Sequence, residues 1–215
     1  MAIDLAHDGL VLAVVAPSII LHEVSHGAVA RAFGDDTAAR AGRLTLNPVA
    51  HVDPFGTILL PLMLTLAGGG AFGYAKPVPV NPAKLRNPRR DSLYVSLAGP
   101  ATNAALAVVA ALALRVRYPQ AVELVRFGFE PAALVPRVLF WLGFVNVLLA
   151  AFNLIPIPPL DGSALVERVL PREWAAGWAR VRQYGFGVLI VVVFAWPGLL
   201  GHVFDPALRW WGRLL

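Results

Sequence analysis

The 215 residues predict an all-α polytopic membrane protein: a bundle of about four full transmembrane helices, a re-entrant segment and a small β-strand element between the first two spans. Three observations lead there. Hydrophobic residues make up 58% of the chain and charged residues 14%, against roughly 45–50% and 25% in a soluble domain. A soluble globule of this length has no room to bury so much apolar surface, and too few charges to cover the rest. The apolar residues also gather into stretches near the roughly 20 residues that a helix needs to cross a bilayer. Cysteine is absent, which removes disulfide stapling, Cys-ligated zinc and thiol catalysis. The net charge of +5 is scattered between apolar segments. It forms no basic patch interleaved with aromatics, so neither nucleic acid nor nucleotide is an expected partner.

The N-terminus carries Asp4 and no Lys or Arg before His7, unlike a secretory signal, so the first apolar helix is expected to be retained. Residues 10–33 form that first span. Residues 40–51 read as a strand (43–46) and a turn at Asn47-Pro48. Residues 55–66 are apolar but only about a dozen long, contain Pro61 and run into three glycines, which suits a re-entrant segment. Four prolines then exclude regular helix over 76–90. Further spans are expected at 93–114, 134–154 and 184–203, with 205–215 as an interfacial anchor carrying Trp210 and Trp211. The whole chain, 1–215, reads as one membrane-embedded domain with a core at about 16–169 and an accessory part at 184–215.

Charge sets the orientation. With the N-terminus outside and 55–66 not crossing, 12 of the 18 basic residues lie inside, among them the five of 76–90. The expected location is therefore the cell membrane, multi-pass, with lipid as the surrounding partner.

The segment His22-Glu23-Val24-Ser25-His26 carries the chemistry. On a helix His22 and His26 are one turn apart and face the same way, so both imidazoles can reach one metal. Glu23 is turned about 100° away and can reach a water without being a ligand. Composition alone predicts about 0.003 occurrences of this pattern. Ionisable groups inside a membrane are costly and usually functional. A catalytic zinc usually takes a third protein ligand. His7, His51, His202 and the acidic residues are all candidates. Asp161 stands out, because the prolines after Asn153 break the helix and let irregular backbone turn a carboxylate inward. A helix N-cap is an equally good local reading of Asp161-Gly162.

Together these segments resemble the site-2 protease family, the intramembrane zinc metalloproteases. Its zinc motif matches 22–26, and its second motif, Asn and prolines leading to Asp-Gly, matches 153–162. Ala98-Gly99-Pro100 with Asn103, and the run 73–82, are similar as well. The resemblance spans roughly 16–169. It implies one zinc held by His22, His26 and Asp161, Glu23 as general base, and Asn153 as donor to the oxyanion or to the substrate backbone. It also implies membrane-anchored proteins as substrates, cut in or near their transmembrane segments. Ser163 stands where many relatives have a second glycine, and no PDZ or CBS domain is present, so a minimal catalytic core is expected.

His51 is a candidate for substrate binding or for gating water, and equally for a loop histidine satisfied by backbone. Asn103 is a candidate for a substrate contact, with an interhelical contact as the default. The zinc is expected within the bilayer, nearer the cytoplasmic face. Two other functions compete. A transporter or channel would use the His/Glu/Asp cluster to move protons or metal ions, but duplicated halves are not apparent. An inactive relative would bind transmembrane segments without cutting, and the intact Glu23 speaks against it.

Overall fold

The computed structural model describes residues 5–53, 59, 63, 76–196 and 198–215. Among the described residues three helices are long and apolar enough to cross a membrane: α1 (Leu5–Ala32), α3 (Pro88–Arg117) and α5 (Leu134–Asn153). At 1.5 Å per residue they extend about 42, 45 and 30 Å. Between them lie the short α2 (Thr37–Arg40) and α4 (Pro119–Arg126). Beyond α5 come α6 (Ser163–Val169), α7 (Ala175–Gln183), α8 (Gly185–Ala195) and α9 (Leu199–Gly212).

The helix boundaries follow from local chemistry. Asn87 caps α3 by accepting from the Arg90 amide, Pro88 occupies the first turn, and Asp91 reaches back to the Asn87 amide at 2.7 Å. Helix α5 stops at Asn153 because Pro156, Pro158 and Pro159 cannot continue it.

Contacts set the packing sense. His22 of α1 meets Asn103 of α3, and His26, one turn on, meets Val95, so α1 and α3 are antiparallel. Ser18 of α1 meets Asn146 of α5, while His22 meets Asp161 beyond the end of α5, so these two helices run the same way. The last third of α1, the first half of α3 and the loop after α5 therefore share one end of the bundle.

Several expectations change. Residues 43–46 form no strand, and no strand occurs among the described residues. Leu44 lies over Gly27 of α1 beside Val78, and Arg43 donates to the Lys76 carbonyl at 2.6 Å. The alternating pattern there reflects one apolar anchor on a helix instead of a sheet face. The re-entrant expectation at 55–66 falls almost wholly outside the described residues.

The expected span at 184–203 is not one helix. Among the described residues it divides into α8, which ends at Ala195, and α9, which begins at Leu199; the sequence carries Pro197-Gly198 between them. Within 205–215 the two tryptophans part: Trp210 is exposed, whereas Trp211 turns into the bundle. Trp211 is 3% exposed, its ring lies on Gly143, and its indole N–H donates to the Ala107 carbonyl at 3.0 Å. A glycine on α5 facing small residues on α3 makes the groove that the indole fills. Trp211 and Leu215 belong to the core with Ala107, Ala111, Leu114 and Val147.

Candidate metal centre

Helix α1 presents His22 and His26 as the sequence spacing requires, with ring centroids 4.7 Å apart and both side chains buried. His22 Nε2 lies 3.1 Å and His26 Nε2 3.4 Å from Asp161 Oδ2. One potential ligand atom from each residue falls within 4.8 Å of the others.

Two glycines make this convergence possible. A Cβ on Gly99 of α3 would come within 2.5 Å of Nε2 on both histidines. A Cβ on Gly162 would collide with the Leu154 and Ile155 carbonyls, so the turn carrying Asp161 closes tightly on the end of α5. The Gly162 amide donates to the Asn153 carbonyl at 2.7 Å, which fixes that turn. Gly162, and not Asp161, occupies the N-cap of α6. The Asp161 carboxylate faces the imidazoles instead.

The donor set calls for a cation. The Val95 carbonyl, 2.6 Å from His26 Nδ1, can only accept, so Nδ1 carries the hydrogen, and in the neutral imidazole that binds metals Nε2 then presents its lone pair to Asp161. Asp161 Oδ2 is itself buried without a hydrogen-bond partner. Acceptors facing one another in a buried space are stabilised by a positive ion between them. Two imidazole nitrogens and a carboxylate oxygen suit zinc, whose catalytic sites take three protein ligands of these kinds.

Glu23 stands outside this group of three. Its Oε2 accepts from the Val78 amide at 2.9 Å, so the irregular 76–80 segment passes beside it. Asn153 donates to the Leu149 carbonyl of its own helix at 2.9 Å and is half-buried. His51 is buried in the loops at this end, with Nε2 2.9 Å from the Thr45 carbonyl and Nδ1 lacking a hydrogen-bond partner. It does not join the three ligand atoms, nor do His7, beside Arg137, and His202, bonded to the Gly198 carbonyl. Asn103 is wholly buried and makes interhelical contacts, with His22 of α1 and Asn146 of α5.

Sequence reasoning passed over Asn146. Its signal was present: it is the one amide between Arg137 and Asn153 in an otherwise apolar span, two turns before Asn153.

Three membrane-length helices enclosing a His–His–Asp donor set, with a carboxylate beside it, define a helical membrane protein with a metal-competent centre. The chain belongs to peptidase family M50, which it matches over residues 10–133 and 120–195. Zinc is the metal of that family, and the resemblance to site-2 proteases is thereby borne out. The chain is 39% identical over 192 residues to YwhC of Bacillus subtilis, named as a candidate zinc metalloprotease, covering 89% of this chain and 82% of that one. Rip2 of Mycobacterium tuberculosis, named likewise, is 35% identical over 206 residues, covering 93% and 73%. MJ0611 of Methanocaldococcus jannaschii, also so named, is 30% identical over 188 residues, covering 85% and 80%. No solved structure matches the chain.

Proposed function

We propose that this chain is an intramembrane zinc endopeptidase that hydrolyses peptide bonds in or near the transmembrane segments of membrane-anchored proteins. The convergence of His22, His26 and Asp161 at one end of a bundle of membrane-length helices carries the reading. These three residues would hold one zinc. When bound there, zinc supplies Lewis acidity, acidifying water and polarising a carbonyl.

The chain's own groups do the rest. Glu23 takes a proton from the attacking water and returns it to the leaving amine, so one peptide bond and one water become a carboxyl and an amine. The Val78 amide holds the Glu23 carboxylate by one oxygen, which leaves the other free for that exchange. Asn153 donates to the developing oxyanion or to the substrate backbone, exchanging the Leu149 carbonyl for that partner. His51, in the loop layer, contacts substrate or gates the water that the reaction consumes. With the N-terminus outside, the centre sits within the cell membrane near its cytoplasmic face.

Purified protein should contain one zinc per chain and cleave a transmembrane peptide. Glu23→Gln should keep the zinc while cleavage falls about 10²–10⁴-fold. Cleavage that survives in Glu23→Gln would remove the general-base assignment. Absence of stoichiometric zinc from active wild type would remove the metal.

A further inference from the structure

A buried polar chain runs from His22 into the bundle, away from the chemistry just described. His22 Nδ1 lies 2.5 Å from Asn103 Oδ1, and Asn103 Nδ2 lies 2.6 Å from Asn146 Oδ1. Asn146 Nδ2 is 2.8 Å from both Ser18 Oγ and the Leu142 carbonyl. Ser18 Oγ donates to the Val14 carbonyl at 2.8 Å. Ser18, Asn103 and Asn146 are at most 1% exposed, so the path joins α1, α3 and α5 through their shared interior.

Its direction is dictated from the far end. The Val14 and Leu142 carbonyls can only accept. The one hydrogen of Ser18 goes to Val14, so its oxygen faces Asn146 as an acceptor. The Asn146 atom between Ser18 Oγ and the Leu142 carbonyl must therefore be the NH₂, with both hydrogens engaged. Its oxygen then faces Asn103, and only the Asn103 NH₂ can answer it. The Asn103 oxygen is left facing His22 Nδ1, which must carry a hydrogen. Turning Asn103 alone sets oxygen against oxygen. Turning both amides sets the Asn146 oxygen against the Leu142 carbonyl. An unpaired buried polar group is destabilising, and here either error creates one.

We infer that Asn146 is a positioning residue for the metal centre: acting through Asn103, it holds His22 as the Nδ1–H tautomer and leaves the Nε2 lone pair free for zinc. This rests on the proposed ligation of zinc by His22. His26 needs no such relay, because the Val95 carbonyl fixes its tautomer directly. An amide beside His22 offers either an oxygen or an NH₂, so its orientation has to be imposed from elsewhere.

The test uses the full chain in detergent, with ¹⁵N-labelled histidine and the His22 signals assigned by their loss in His22→Ala. In metal-free protein at alkaline pH, wild-type His22 should be the Nδ1–H tautomer. Asn146→Leu should populate Nε2–H, and its zinc dissociation constant in chelator competition should rise about 10–100-fold. Asn146→Asp should keep the wild-type tautomer, since its carboxyl offers Asn103 an oxygen in either protonation state. If Asn146→Leu does not fold, Asn103→Leu reads the same loss one step nearer the metal. An unchanged His22 tautomer in the folded leucine variant overturns the inference, as does an equal shift in Asn146→Leu and Asn146→Asp. Because the tautomer is read without metal, a wild type with the expected tautomer that binds no zinc refutes the zinc reading and still supports the hold of Asn146 on His22.

Discussion

A single hydrogen atom, the one Gly99 carries in place of a side chain, leaves space for both imidazoles. The obstruction is direct: a methyl group there would press on His22 Nε2 and His26 Nε2, the two atoms aimed at the ligand position. We expect Gly99→Ala to keep its helical circular dichroism and lose at least about tenfold in zinc affinity, measured by chelator competition. Unchanged affinity would mean that the imidazoles can shift without cost. The histidine pair was legible in the sequence because helical spacing alone brings residues four apart onto one face. Asp161 was not legible on local grounds, since Asp-Gly serves a turn or a cap equally well. Only the fold shows Gly162 taking the cap and the carboxylate swinging to the histidines. Asn146 was harder still. Its importance lies in hydrogen-bond direction across three helices, which no local pattern encodes.

At the scale of elements, the loops over the metal end are tied down by Asp35. Its side chain is wholly buried and accepts from the Thr37 amide and hydroxyl and from the Asn81 amide, the last at 2.6 Å. Phe33 and Arg86 add a backbone bond at 3.0 Å, so the exit of α1 is bound to the approach to α3. Burial pushes the Asp35 carboxyl up, but the bonds from Thr37 and Asn81 and the charge of Lys84 outweigh it and hold the group below its usual range. A lowered folded value contributes stability above the unfolded pKa of about 3.9 and loses it as pH falls through the folded value. Asp35→Ala should therefore cost about 1–3 kcal/mol near neutrality. Its deficit in thermal unfolding against wild type should shrink once the pH drops below about 4. A deficit unchanged through that range would contradict the clasp. The start of α3 was misread: Pro88 was taken to exclude helix through residue 90, yet a proline that breaks a helix interior suits the first turn that Asn87 caps. The supposed strand at 43–46 was misread because the partner of Leu44 is a glycine on α1, far away in sequence.

At the scale of the whole molecule, the C-terminal helix settles which end of the bundle the chain finishes on. Val203 packs with Ile155 and Leu160 at the metal end, Trp211 reaches Gly143 and Ala107, and the Leu214 carbonyl accepts from Arg115 near the far end of α3. Helix α9 thus runs along the bundle toward the end that also carries α4. Its 14 residues extend about 21 Å, short of the roughly 30 Å hydrocarbon core. Composition located the apolar stretch but took it as one span ending at 203, because hydropathy weighs residues without regard to the groove that Gly143 opens for Trp211. If the metal end is cytoplasmic, as the 12-to-6 division of basic residues argues, Lys84 lies inside while Glu123 and Leu215 lie outside. The chain has no cysteine, so single substitutions give a clean readout. In intact cells Glu123→Cys and a cysteine appended after Leu215 should react with a membrane-impermeant maleimide, whereas Lys84→Cys should react only after permeabilisation. Labelling of all three from outside would refute a crossing by α3. Labelling of Lys84→Cys alone would keep the bundle and invert it, moving the metal centre to the outer face and requiring that substrates be presented from there.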